Sequence, residues 1–364
     1  MEAEDLIYLV SCAVNGVKAD PERIAGMDMD ELYEQANRHY LTATVAHALE
    51  TAGVKEERFV KAKKHSALKN AQMDMEMSEV FAELDAAGIW HMPLKGTILQ
   101  HMYPVYGMRQ MSDHDILFDA KRADDVKSIM EKLGFSVEHF GTSHHDVYHK
   151  EPVSNFEMHR ELFALGSDEK LYEYYRKIQG RMLGDGFEKQ LSPEDFYIYM
   201  IAHEYKHYSA GGTGLRSLAD TYVYLKKNKL DLEYVAVEAK KIGIADFENA
   251  NRSLARHLFS GDVLTDADKD MLEYILSSGV YGTINHRVEN DIQKIGGGKI
   301  RYALYRFIGP VSKRDARYDI YARGYPLFYK YKILLIFLPF YRTFRAMGAG
   351  RFMREARAIK DAKV

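Results

Sequence analysis

From about Glu56 to Ala87 the chain carries neither glycine nor proline, and at Gly88 its character changes. Apolar spacing at Phe59, Ala62, Leu68, Ala71, Met75, Val80, Phe81 and Leu84 predicts one long helix that stops at that glycine. Shorter units follow. Ile89–Leu94 reads as a strand, Thr97–Met102 as a turn or two of helix stopped by Pro104, and Asp115–Phe118 as a strand. Ala123–Leu133 has helical spacing and closes at Gly134, and Phe135–Phe140, Asp146–His149 and Ser154–His159 read as further strands. Helical patterns lie on both sides. Upstream they begin with Leu6, Leu9 and Val10 and continue at Leu41, Val45, Ala48 and Leu49, while downstream Pro193–His207 and Leu215–Lys226 are the clearest. The order predicts an α+β chain. A small mixed-sheet core occupies 89–165, an N-terminal helical region 1–88, and a C-terminal helical region 166–364 that ends in a basic, aromatic-rich tail.

At 364 residues the chain is too long for one ordinary domain, and 46% hydrophobic with 28% charged residues is a soluble composition. The single cysteine, Cys12, excludes an internal disulfide, which fits a reducing cytoplasm. The acidic start Met1-Glu2-Ala3-Glu4-Asp5 lacks the basic opening of a secretory signal. The longest apolar run, Ile333–Tyr341, contains Pro339 and falls short of the roughly 20 residues a bilayer-spanning helix needs. A cytoplasmic protein without a transmembrane segment is expected.

The chemistry concentrates at Arg109-Gln110-Met111-Ser112-Asp113-His114-Asp115. On a strand, side chains two apart share a face, so Asp113 and Asp115 point at one spot where a hard divalent cation can bridge them. Upstream, Leu94-Lys95-Gly96-Thr97 is a strand end running into a glycine turn, and downstream Glu157 offers a third carboxylate in a strand-like run. Two metals, Mg2+ or Mn2+, held by Asp113, Asp115 and Glu157 are the apparatus for attack on the α-phosphate of a nucleoside triphosphate such as ATP. Glu157 also suits the role of base for the acceptor hydroxyl. Gly96 and Thr97 would open a helix whose N–H groups face the phosphates, with Lys95 and Arg109 adding positive charge. His159, two residues from Glu157, shares its face and would orient that carboxylate or donate to a phosphate.

A second pattern competes. His203-Glu204-Tyr205-Lys206-His207 spells the His-Glu-x-x-His of zinc hydrolases, with Asp220 as the available third ligand. The other reading sets His203, His207, Arg216 and Asp220 beside the acidic site to bind nucleotide or acceptor, against the plainer account of packed histidines and an Arg216–Asp220 ion pair four apart on a helix. His144, His145 and His149 lack a clear ligand spacing and read as solvent-facing. Gly211-Gly212-Thr213-Gly214 and the glycine run after Ile295 read as turns.

Leu94-Lys95-Gly96, Tyr103-Pro104, Arg109, Ser112–Leu117 and the acid-apolar-His strand Glu157-Met158-His159 together resemble the uncharacterised bacterial nucleotidyltransferase family (Leu-Lys-Gly type) of the polymerase-β-like superfamily. The resemblance extends from about residue 85 through His203–His207, Arg216 and Asp220 to Tyr325-Pro326 and Pro339–Arg342. It implies a nucleotidyltransferase core that moves a nucleoside monophosphate to an acceptor: a small molecule, an RNA end or a protein. The chain departs from the superfamily at Gly96-Thr97, where Gly-Ser or Gly-Gly is usual, at the longer gap to Asp113, and at His114, where an apolar residue is normal.

Net charge is −3, yet residues 299–364 hold 16 Lys and Arg against 4 Asp and Glu. Such a tail suits an acidic partner, nucleic acid or an anionic membrane face, and would also serve a catalytically silent binding protein. The plainer expectation packs Ile333–Phe337 into the helical region while Arg342, Arg345, Arg351, Arg354 and Arg357 face water.

Overall fold

The computed structural model describes residues 3–165, 168–280, 282–312, 315, 317–348 and 357–362. It is α+β: one mixed five-stranded sheet among helices. The strands are β1 (His91–Pro93), β2 (His114–Phe118), β3 (Ser136–His139), β4 (His145–Lys150) and β5 (Ser154–His159), in the order β1-β2-β5-β4-β3. Only the central β2–β5 pair is parallel. Each expected strand is present, with ends displaced by a residue or two, as terminal fraying predicts.

The glycine-free stretch is a single helix, Glu57–Ala86, started by the Glu56 carboxylate accepting from the Phe59 N–H. Its last turns lie on the sheet. Val80 and Leu84 pack with Val126 and Met130 of the helix Ala123–Lys132 and with Ile116, Phe118, Tyr148, Phe156 and Met158 from one sheet face. Alternation along the strands sends their neighbours to the other face. Asp115 and Leu117 of β2, Glu157 and His159 of β5, and His145 and Val147 of β4 are therefore co-facial, and helices rather than solvent cover much of that side.

Two helices form this cover: Pro193–Ala210, capped by the Ser192 hydroxyl accepting from the Asp195 N–H, and Leu215–Lys227. The glycines at 211, 212 and 214 make the turn between them. A Cβ on Gly212, at φ +115°, would sit about 2.1 Å from the Ser278 hydroxyl, so nothing larger fits there. The N- and C-terminal helical regions share one core. Leu6, Leu9, Val45 and Phe59 pack with Leu215, Leu218, Leu254 and Phe259. Cys12 belongs to that core. The glycine run after Ile295 is the turn between the helices Ile284–Ile295 and Gly298–Ile308.

One expectation fails. The run Ile333–Phe337 is not packed into the helical region: Ile333, Ile336 and Phe337 are exposed. Lys332–Ile336 forms a 3-10 turn too short to bury its apolar side chains on a neighbour. Arg345 and Arg357 face water, Arg342 lies partly over the Tyr321 ring, and Arg351 and Arg354 lie outside the described residues. Among the described residues no helix is long and apolar enough to cross a membrane.

Phe156 is fully buried where the sheet meets the long helix, its ring edge-on to Phe135 with centroids 5.1 Å apart. Phe156→Ala should cost about 3–5 kcal/mol of stability, read as a lowered urea midpoint. An unchanged midpoint would contradict this packing.

Candidate functional site

The parallel register sets the site. Asp115 on β2 is the cross-strand partner of Glu157 on β5, and across the antiparallel β4–β5 pair His145 lies opposite His159. Asp113 sits one residue before β2 begins and lines the same cavity of about 710 Å3, with Asp115, Glu157, His159, Lys95, Gly96, Arg109, His203, His207, Arg216 and Asp220 also on its wall. That volume is in the range of small-molecule sites. A ligand atom of Asp115, one of Glu157 and one of His159 lie within 4.8 Å of one another.

Asp115 is the most constrained of the acids. The Lys95 ammonium is 2.9 Å from its Oδ2, and His159 Nε2–H donates to its Oδ1 at 2.7 Å. Burial alone would raise its pKa, but Lys95 and His159 outweigh burial and hold it well below the usual carboxylate range. Asp113 shifts the other way, raised by burial and then by the charge of Asp115. Glu157 is also raised, by burial and then by Asp115 and Asp113. Three carboxyls that repel one another in a partly enclosed cavity are the electrostatic setting in which a divalent cation is stabilised.

Lys95 has φ +32°, a strained value for a side-chain-bearing residue, and its ammonium also donates to His203 Nε2 at 3.0 Å. It therefore links the acid to the covering helix rather than standing free. Gly96 is needed for space: a Cβ there would come within 2.9 Å of the Arg109 guanidinium and 3.2 Å of Met111. Thr97 differs from expectation. It is buried, does not line the cavity, and its hydroxyl is hydrogen-bonded to His114 Nδ1 at 3.0 Å. The helix it belongs to, Lys95–Leu99, is only 5 residues long. His114 points to the opposite sheet face, tilted against Phe156, and burial lowers its pKa to about 4.

Arg109 and Asp220, both expected at the nucleotide, bind each other. Arg109 Nε and Nη2 donate to the two Asp220 oxygens at 2.7 and 2.8 Å, and the Tyr103 hydroxyl donates to the same carboxylate at 2.8 Å. The expected Arg216–Asp220 pair is not formed. Arg216 instead donates to the Gln110 carbonyl at 3.2 Å and stacks over Tyr40, and pairs with no carboxylate among the described residues. Burial, then repulsion from Arg109, lowers its pKa.

The histidine helix directs His203 and His207 at the cavity, their Nε2 atoms 3.3 Å apart. Burial pushes the His203 pKa well down and that of His207 to about 4, so both imidazoles are neutral. Among the described residues no third His, Cys, Asp or Glu joins them within ligand reach, and Asp220 is held by Arg109. Glu204 accepts from Asn251 Nδ2 at 2.8 Å, and burial raises its pKa to about 7. The arrangement lacks the third ligand of a zinc hydrolase.

Some cavity residues escaped the sequence reading. His144 and His145, expected in solvent, line the cavity beside His159, with which they form a cluster of imidazoles. Burial lowers their pKa values to about 3 and about 4. The signal available was His145, which shares the strand period of Val147. Lys206 also lines the cavity, and burial, then Lys95, lowers its pKa to about 8. Its place three residues after His203 on a helix was the clue.

Residues 25–260 match the model of a family described as uncharacterised nucleotidyltransferase. The chain belongs to this family. The match begins well before residue 85 and covers the N-terminal helices from residue 25 onward. It ends before Tyr325-Pro326 and Pro339–Arg342, to which the sequence resemblance had been extended. No curated protein and no solved structure matches the chain.

Glu204 gives a pH test of this reading. A buried carboxyl with a raised pKa binds its proton more tightly in the folded state, so its penalty is absent below about pH 4.5, grows towards pH 7 and stays constant above. Glu204→Gln should therefore stabilise the fold at pH 8 by on the order of 3 kcal/mol, read as a raised Tm, and not at pH 4. Equal effects at both pH values would contradict a buried Glu204 with a raised pKa.

Proposed function

We propose that this nucleotidyltransferase moves a nucleoside monophosphate from a nucleoside triphosphate, ATP among the candidates, to an acceptor hydroxyl or phosphate on a small molecule, an RNA end or a protein. The observation that carries the reading is the pairing of Asp115 with Glu157 across parallel strands, with Asp113 on the same cavity wall. The donor set is oxygen-rich, as Mg2+ or Mn2+ requires, and its raised carboxyls fit a cation that relieves their repulsion. Bound there, a divalent cation supplies neutralisation of the triphosphate and activation of the acceptor oxygen.

The chain's own groups have separable tasks. Asp113 and Asp115 hold the cation, and His159 and Lys95 fix the orientation of Asp115. Glu157 completes the donor set and takes the acceptor proton; its raised pKa brings it nearer the working pH of a base. The acceptor oxygen–Pα bond forms as the bond from Pα to the pyrophosphate oxygen breaks, and pyrophosphate leaves. Arg216 and Lys206, two cavity cations without an ion pair to a carboxylate among the described residues, suit the phosphates, with neutral His203 and His207 alongside. Arg109 acts through Asp220, by fixing the covering helix, and Gly96 leaves room for that pair.

The decisive experiment incubates the chain with each labelled ribonucleoside triphosphate and Mg2+ or Mn2+, then searches small molecules, RNA and the chain itself for added monophosphate by mass. Asp113→Asn with Asp115→Asn should reduce transfer at least about a hundredfold, far beyond what any loss of folded protein read by circular dichroism explains. Transfer that survives the double substitution would overturn the assignment.

A further inference from the structure

Beyond the matched family region, the helices Gly298–Ile308, Pro326–Lys330 and Leu338–Gly348 and the turn Lys332–Ile336 form one layer with an unusual outer surface. Ile300, Leu304, Phe307 and Ile308 recur at the spacing of one helical face, and all four are exposed, Ile300 by 78%. Phe340, Tyr341 and Phe344 repeat the pattern on the helix Leu338–Gly348, with Phe337 just ahead of it, again outward, with Phe344 81% exposed. The two stripes adjoin: the Phe307 and Phe340 rings meet edge to face at 5.6 Å. A contiguous apolar face of this kind is rare on a solvated surface and marks an interaction site.

The charge around it is one-sided. Arg301, Lys330, Lys332 and Arg345 are exposed in the same layer. Asp315 is the one acid among the described side chains of 298–348, and its carboxylate is paired with Arg317 at 2.7 Å. An apolar stripe flanked by cations is the pattern of a helix lying in the plane of an anionic bilayer, the apolar side chains entering the acyl boundary and the cations meeting headgroup phosphates. Two other occupants fit less well. A second copy paired symmetrically would set like charges face to face. Single-stranded nucleic acid uses cations and aromatic rings but has no use for the aliphatic Ile300, Leu304, Ile308, Ile333 and Ile336.

We propose that this layer docks the protein peripherally on an anionic membrane surface. The docking needs no membrane-spanning helix, and none is present among the described residues. It stands independently of the transfer reaction, because no residue of the layer lines the cavity.

Co-sedimentation of the full chain with vesicles tests it, comparing neutral phosphatidylcholine with an equimolar mixture of phosphatidylcholine and phosphatidylglycerol. The chain should pellet with the anionic vesicles and be released by high salt. A variant carrying Ile300→Ser, Ile336→Ser, Phe340→Ser and Phe344→Ser should bind at least about tenfold more weakly with its Tm unchanged. A charge-reversed variant, Arg301→Glu with Lys330→Glu, Lys332→Glu and Arg345→Glu, should lose the preference for anionic lipid. Wild-type protein left in the supernatant with both vesicles would overturn the proposal. So would a wild-type dimer that the serine variant converts to monomer, or binding to single-stranded RNA in place of vesicles.

Discussion

Everything at this site depends on the parallel pairing of β2 with β5. The two strands are far apart in sequence, and only their register sets Asp115 beside Glu157 on one sheet face. A one-residue slip of either strand would turn its acid into the apolar core under the long helix and bring His114 or Phe156 to the cavity face in its place. The core prevents it: Ile116, Phe118, Phe156 and Met158 are completely buried on the opposite face. Hydrophobic burial on one side of the sheet thus fixes the geometry of charge on the other.

The cover over those charges is held by a second buried interaction. Arg109, just ahead of β2, and Asp220, on the helix Leu215–Lys227, meet in a bidentate pair that Tyr103 completes. Such a pair adds little net stability compared with apolar packing, because both charges lose their water, but leaving either partner alone is costly. Its value is positional. It sets the covering helices at one distance from the acids, and Gly96 is the residue small enough to let the guanidinium pass. Lys95 makes a parallel connection, from Asp115 to His203. The two links bracket the cavity, and Arg216 and Lys206 line it without a carboxylate partner among the described residues.

Much of this was legible in the sequence, for physical reasons. Strand alternation and helical spacing are local, so the five strands and the helices Glu57–Ala86, Pro193–Ala210 and Leu215–Lys227 could be read nearly to their ends. That Asp115, Glu157 and His159 share a face was readable because period-two alternation assigns faces; Asp113, one residue ahead of β2, lines the same cavity but is not within the 4.8 Å group they form. Partner choice was not readable. Arg216 stands four residues from Asp220 on one helix, yet Asp220 pairs with Arg109 from another element, since a bidentate buried partner outcompetes a helical neighbour. Thr97 looked like a phosphate ligand because it follows a glycine turn, but the turn directs its hydroxyl to His114. His144 and His145 resembled a polar loop until β4 paired antiparallel to β5 and carried them to the cavity. The apolar run near residue 335 was expected inside because burial is the usual fate of such runs, and here the surrounding helices expose it instead.

The central proposal is that Asp113, Asp115 and Glu157 hold Mg2+ or Mn2+ against a triphosphate. Anomalous diffraction from crystals grown with Mn2+ and a non-hydrolysable nucleoside triphosphate analogue tests it most directly. The account predicts a Mn2+ peak liganded by Asp113 and Asp115, with Glu157 alongside and phosphate oxygens completing the shell. A peak between His203 and His207, or a nucleotide bound away from the three acids, would contradict it.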